Sequence, residues 1–376
     1  MSQPPPVTPS WLSASSPRLA DDFDVALLDL DGTLFRGSQV IEVAPAVVQA
    51  LREAGVRPAF VTNNASRPPA AVAAHLTALG VTCDVAEVTT AAQAGAALIA
   101  DRFPAGTAVL VVGGEGVLEA LKEAGLRPVD SASDRPLAVL QGWSPDLSWP
   151  ALAEGAFALA AGAAWFVTNL DLTLPTDRGI APGNGSFVAL LQAVTKRDPD
   201  AVAGKPLPPL LEKASTKLGA RRPIVVGDRL DTDIRGAVAA SLPSLLVLSG
   251  VTDPTALLGA GPGERPTFLS WDVAGLLHQH PAVVRAASGG WSCGRWTAAV
   301  QSEAGTPPVD EPYGLQLTRD SGPASSRGHD DDGLDAVRAA AAAAWECADQ
   351  GSSVRVDGDL LLALDGAAGR SRQQGP

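Results

Sequence analysis

The sequence predicts an α/β fold: a Rossmann-like parallel sheet covered by helices, interrupted by an inserted α/β domain and followed by a small C-terminal accessory module. Three observations carry that reading. Short apolar runs alternate with helical patterns, as they do where parallel strands are joined by helices. One run, Val25-Ala26-Leu27-Leu28-Asp29-Leu30-Asp31-Gly32-Thr33-Leu34, ends on two aspartates one residue apart. And 376 residues with 46% hydrophobic content are enough for two domains with a substantial core.

Residues 1–22 are rich in Pro and Ser and read as a flexible leader. The first strand is expected at 24–30 and a helix at 44–54, with Pro45 suited to its first turn and Gly55 just past its end. A second strand, 56–62, ends in Thr62-Asn63-Asn64 and completes the first part of the core, 23–66. Residues 67–203 carry their own units: strands at 107–112, 136–140 and 164–168, helices at 93–102, 116–124 and 149–161. That is too long for a loop and predicts an inserted domain. The core resumes over 204–280, with a helix at 207–218 and strands at 223–226 and 244–248. Residues 281–376 change character: Gly/Ser/Pro-rich stretches, the acidic run Asp330-Asp331-Asp332, an alanine-rich helix at 334–347 and a strand-like 353–356. They predict a small module with disordered connections.

The net charge of −13 argues against a general affinity for nucleic acid or for an anionic membrane. Cys83, Cys293 and Cys347 are far apart and lack metal-ligand spacing, which suits a reducing compartment. No secretory leader is visible, and the longest apolar stretch, 151–167, is short and carries Glu154. A cytoplasmic protein acting on a small molecule is expected, with homo-oligomerisation left open. The histidines at 75, 278, 280 and 329 lie outside every motif, and His278 and His280 are expected at the surface. Gly113-Gly114-Glu115-Gly116 lacks the lysine and spacing of a nucleotide loop and reads as a strand-to-helix turn.

The aspartate pair is where chemistry is expected. Period two along a strand puts Asp29 and Asp31 on one face, and like charges that close call for a cation or a proton. Carboxyl ends of strands are where open α/β sheets place their ligands. Three more strand ends carry polar groups: Thr62-Asn63-Asn64, Gly204-Lys205-Pro206 and Gly227-Asp228-Arg229-Leu230-Asp231-Thr232-Asp233.

With those four motifs in order, residues 23–275 resemble the haloacid-dehalogenase-like hydrolases. Val61-Thr62-Asn63-Asn64-Ala65-Ser66, Thr168-Asn169-Leu170-Asp171 and Pro182-Gly183-Asn184-Gly185 resemble the NagD-like branch of capped phosphatases. The resemblance implies an Mg²⁺-dependent phosphatase that forms an aspartyl-phosphate. Asp29 would be the nucleophile and Asp31 the acid and base. Dehalogenating relatives lack that second aspartate, so its presence favours phosphoryl transfer. Asp29, Asp31 through its backbone carbonyl, and Asp228 would hold the metal, since hard oxygen ligands suit Mg²⁺. Asp233 would support the metal or Lys205, with Asp231 competing for that role. Lys205 and Thr62 would bind the phosphoryl oxygens, helped by groups around Asn63.

The insertion resembles the family's α/β cap, and Thr168, Asn169 and Asp171 are its candidate substrate contacts. Among the substrates the resemblance implies, that resemblance and a cap short of aromatic stacking residues together favour glycerol 3-phosphate; 2-phosphoglycolate, pyridoxal 5′-phosphate and nucleoside monophosphates are the alternatives. A phospho-acceptor or binding protein without turnover is a reading of another class. The last hundred or so residues leave open a partner site, an assembly role or a reduced acetyltransferase-like module, although no convincing acetyl-CoA loop is present.

Overall fold

Val25–Leu28 is buried along its whole length, as a central parallel strand must be. Its side chains alternate between two apolar layers. Ala26 and Leu28 meet Phe60 and Val226 on one face, and Val25 and Leu27 meet Ala59, Val61 and Val225 on the other. In this computed structural model, which describes residues 11–176, 178–287, 289–301, 312–320, 332–356, 360 and 364, that strand sits in a six-stranded parallel sheet. From one edge the order is Phe268–Ser270, Ser244–Val247, Pro223–Gly227, Val25–Leu28, Arg57–Thr62 and Val88–Thr90. Chain order thus reverses direction between Val25–Leu28 and Pro223–Gly227, and a crevice opens where such a reversal occurs. Asp29 and Asp228 follow those two strands.

A second, five-stranded parallel sheet is inserted after Val88–Thr90: Ala201–Val202, Ala164–Val167, Ala138–Gln141, Ala108–Val112 and Arg127–Val129. The helix Ala91–Arg102 lies between the two sheets. Ala91 and Ala94 face the core layer, while Ala92, Ala96 and Ile99 face the inserted one. Its small residues are what permit this: a Cβ on Gly95 would stand 2.8 Å from Leu140. Because Val88–Thr90 pairs with Arg57–Thr62, residues 67–90 belong to the core sheet and not, as expected, to the insertion. Three residues running straight into a helix are too few to show strand periodicity.

The ends of the chain depart most from expectation. Of the leader, residues 11–22 are fastened down: Leu12 and Leu19 are buried, and Leu12 and Ser13 donate backbone hydrogen bonds to Pro266 and Thr267. The C-terminal region contributes an antiparallel sheet of Val284–Arg285, Trp291–Cys293, Trp296–Gln301 and Gly314–Arg319, backed by the helix Asp335–Asp349. That helix is buried along most of its length against core residues Ile234, Leu246, Leu257 and Leu269. The strand-like 353–356 makes a single bridge, Val354 to Tyr313. Asp330 and Asp331 lie outside the described residues, whereas Asp332 pairs with the buried Arg338. No helix among the described residues is long and apolar enough to cross a membrane.

His280 is not a surface residue. It is 3% exposed, with its ring edge-on to Phe268 and Nε2 at 2.8 Å from the Gly275 carbonyl. A carbonyl only accepts, so Nε2 carries the proton of the neutral ring. Burial, against the Gly275 hydrogen bond, brings its pKa down to about 4. Between that value and the unfolded 6.5 the unfolded chain binds the extra proton, so stability falls as pH falls through this window. We expect wild type to lose about 2 kcal/mol more than His280→Asn between pH 7.5 and pH 5. Urea unfolding of both proteins at the two pH values measures the difference; equal losses would refute the burial of a neutral ring.

Candidate active site

Four strand ends converge on one crevice. Asp29 follows Val25–Leu28, Thr62 ends Arg57–Thr62, Lys205 follows the Ala201–Val202 exit from the insertion, and Asp228 follows Pro223–Gly227. Lys205 is 3% exposed, which only paired charge makes tolerable. Its Nζ donates to Asp233 Oδ1 at 2.6 Å and to Asp29 Oδ1. Burial alone would lower the lysine pKa; Asp233 and Asp29 outweigh it and hold the ammonium charged. Asp233 reaches Lys205 because it lies on a π-helical turn, Leu230–Ile234, and it also accepts from the Arg229 backbone N–H at 3.1 Å. Asp231 points elsewhere: its side chain is 55% exposed and takes both bonds of the Arg229 guanidinium, at 3.0 and 2.7 Å. The structure thus separates the two candidates and leaves Asp231 outside the cluster.

Asp29, Asp228 and Asp233 bring carboxylate oxygens within 4.8 Å of one another. One ammonium does not neutralise three carboxylates. Burial pushes the pKa of Asp29 well up, against the pull of Lys205, and that of Asp228 up to about 7, with neighbouring carboxylates adding to both. Asp228 Oδ1 is buried without a hydrogen-bond partner, while Oδ2 accepts from the Val251 N–H at 2.6 Å. A buried lone carboxylate oxygen beside two more carboxylates is the donor set a hard divalent cation takes. Two glycines make room for it. A Cβ on Gly32 would come within 2.3 Å of the Asp228 carboxylate, and one on Gly250 within 1.9 Å.

Above the cluster opens a cavity of about 550 Å³. Asp31 faces it, exposed on the cavity side but hemmed in by protein. Burial raises its pKa against the opposing pull of His75, Lys205 and Arg67. Thr62 lines the floor; its Oγ1 accepts from Asn64 N–H at 3.0 Å, leaving the hydroxyl proton for another acceptor. The roof comes from the insertion: Trp143, Asn169, Asp171 and the hairpin Thr173–Thr176/Gly179–Pro182. Asn63 ties floor to roof. Its Oδ1 accepts from Lys205 N–H at 2.9 Å, and its Nδ2 donates to Lys205 O at 3.0 Å and Asp171 Oδ2 at 3.2 Å. Asn169 Nδ2 in turn donates to Asn63 O at 2.8 Å.

Of the expected substrate contacts, Asn63, Asn169 and Asp171 line the cavity. Thr168 does not: it is fully buried beneath Asn169, against Gly142. Sequence reasoning missed Arg36, Arg229, Trp143 and the hairpin residues Thr173, Leu174 and Thr176, all of which line the cavity. Arg229 stood inside the acidic fourth motif, where a lone cation among aspartates was a signal; Trp143 carried none. Gly113-Gly114-Glu115-Gly116 is the turn from Ala108–Val112 into Glu115–Glu123, in line with expectation. It packs the insertion on the core, with Gly116 N–H bonded to Ser66 O at 3.2 Å.

Comparison with known proteins gives the family of the chain. A family model described as haloacid dehalogenase-like hydrolase matches residues 26–127, and a second, HAD-hydrolase-like, matches 202–276. The chain is 43% identical over 328 residues to the D-glycerol 3-phosphate phosphatase of Mycobacterium tuberculosis, covering 87% of each. It also superposes on the crystal structure of a glycerol phosphate phosphatase from that organism in complex with magnesium. The TM-score is 0.78 at 40% identity, over 93% of this chain and 98% of the other. A single mutant of the thermostable NPPase from Geobacillus stearothermophilus matches less of it: TM-score 0.60 at 33% identity, over 67% of this chain and 97% of that one.

Gly250 offers a test of the cluster, because its backbone is not left-handed and only space forbids a side chain. In Gly250→Ala the Asp228 carboxylate must move. Divalent-cation affinity measured by calorimetry should fall about tenfold or more, with the far-ultraviolet circular dichroism unchanged. Wild-type affinity in that variant would mean that Asp228 is not held as described.

Proposed function

The chain belongs to the haloacid dehalogenase-like hydrolases, and from that premise we propose that it is an Mg²⁺-dependent phosphatase that hydrolyses glycerol 3-phosphate through an aspartyl-phosphate. The observation that carries the reading is the junction of a buried Lys205–Asp29–Asp233 network with the lone Asp228 oxygen, beneath a cavity that Asp31 faces.

Asp29, Asp228 and the backbone carbonyl of Asp31 would hold the cation, which when bound supplies positive charge to the phosphoryl oxygens and the attacking carboxylate. Lys205 adds a fixed ammonium beside Asp29, kept in place by Asp233, and the Thr62 hydroxyl donates to a phosphoryl oxygen. Asp29 attacks phosphorus as the ester P–O bond breaks. Asp31, whose proton affinity burial in the cleft raises, gives the proton to the leaving oxygen. It then takes a proton from the water that attacks the aspartyl-phosphate and frees inorganic phosphate. Asn169, Asp171 and the hairpin present the groups that meet the leaving alcohol.

The substrate choice rests on the mycobacterial relatives and on the roof. Among the described lining residues Trp143 is the one aromatic ring, so a base or pyridine ring has little to stack on, while Asn169, Asp171, Thr173 and Thr176 suit hydroxyl groups. The free cysteines support the reading of a cytoplasmic enzyme.

Two outcomes are expected. Asp29→Asn should lower kcat by about 10³-fold or more with the thermal midpoint near wild type; full activity would remove the nucleophile. In a panel of glycerol 3-phosphate, 2-phosphoglycolate, pyridoxal 5′-phosphate and AMP with Mg²⁺, the first should lead in kcat/KM by about tenfold or more. A lead for 2-phosphoglycolate would move the substrate assignment to that acid.

A further inference from the structure

Asp228 is held from the side that the C-terminal region covers. Val251 N–H binds its Oδ2, Thr252 N–H binds its backbone carbonyl at 3.2 Å, and Gly250 packs against the carboxylate. Those three residues lead directly into the helix Pro254–Leu258, which Asp253 caps by accepting from Ala256 N–H at 2.8 Å. Five residues cannot hold a helix by themselves. This one is held by packing: Leu257 and Leu258 are buried in the layer that contains the helix Asp335–Asp349. The specific link is Trp345. Its indole N–H donates to Leu257 O at 2.9 Å, an oxygen it shares with Ala260 N–H. Trp345 is fully buried, with Trp11 edge-on at 5.2 Å between ring centroids. Arg265 locks the same turn from behind, donating to both Asp349 carboxylate oxygens at 2.7 Å and to Trp345 O at 3.2 Å. The same buried layer includes Ile234, the residue after Asp233.

From this chain of contacts we infer that the C-terminal helix is a positioning element for the cation site. Trp345, acting through Leu257 and the helix Pro254–Leu258, sets the place of Gly250–Thr252 and so of the Asp228 carboxylate. Trp345 touches neither substrate nor cation; it is a positioning residue. The inference rests on the reading of Asp228 as a metal ligand, and it gives the C-terminal region a role in the site in place of a separate activity.

The test uses the full chain and Mg²⁺ alone, titrated by calorimetry without substrate. Trp345→Phe keeps the apolar bulk and removes the N–H; Asp253→Ala loosens the same helix from its other end. Both should weaken Mg²⁺ binding about tenfold, while kcat at saturating Mg²⁺ stays within about twofold of wild type. Asp253→Asn, which still caps, should restore wild-type affinity and so separates capping from charge. Trp291→Phe is the control. It removes an indole bond at 3.1 Å to Glu346, next to Trp345 on the same helix but not bonded to Leu257, and should leave Mg²⁺ affinity unchanged. Equal weakening in Trp345→Phe and Trp291→Phe, or none in Trp345→Phe, overturns the inference. A wild-type chain that takes up no Mg²⁺ removes its premise, whereas a different preferred substrate leaves it standing.

Discussion

Everything in the crevice depends on one buried cation. The Lys205 ammonium sits among three carboxylates, and it is kept charged by Asp233 and Asp29 together. Without it, Asp29 and Asp233 would face each other unpaired in a site that excludes most water, at a cost of several kcal/mol. With it, Asp29 is aimed and partly neutralised, yet one ammonium among three carboxylates leaves negative charge over. That remainder is what a divalent cation can use. The lysine therefore orders the nucleophile without filling the cation's place.

The sheet explains why these groups meet at all. The crossover direction reverses at the seam between Val25–Leu28 and Pro223–Gly227, so no connection covers their carboxyl ends. Asp29 and Asp228 stand across that seam. Lys205 arrives from the insertion's last strand, so the insertion closes the cavity from above and also delivers one of its charges. Glycines at 32, 227 and 250 complete the arrangement by leaving space at carboxylates: a Cβ on Gly227 would lie 2.2 Å from Asp233.

What was legible in the sequence follows from how local each signal is. Asp29, Asp31, Thr62 and Asp228 sit at or just past the ends of strongly apolar strands, which makes their places legible; Lys205 follows a strand of only two residues, Ala201–Val202, and its role, like that of Thr62, is legible through the family resemblance. The choice between Asp231 and Asp233 was not legible, because a π-helical turn shifts the faces that an ordinary helix would assign. Thr168 and Asn169 follow the strand Ala164–Val167 in a turn that no strand periodicity describes, and the structure buries the first and turns the second to the cavity. The Ala-rich Asp335–Asp349 looked like part of a separate accessory module. Small side chains also allow close approach on every face, and that is how the fold uses them. His280 had no local signal, since the carbonyl and the ring that receive it belong to separate turns of chain.

The clamp formed by Asn63 has a consequence for how the enzyme would choose among alcohols. One side chain fastens the lysine loop, the end of a core strand and the roof residue Asp171, and Asn169 returns a bond to the same residue. These bonds, with Gly116 N–H on Ser66 O, join the roof to the core at two separate places. The groups that face the alcohol, Asn169, Asp171, Thr173 and Thr176, all belong to that roof and none to the charged floor. A new diet could be acquired by recasting those roof residues, with the chemistry below left as it stands.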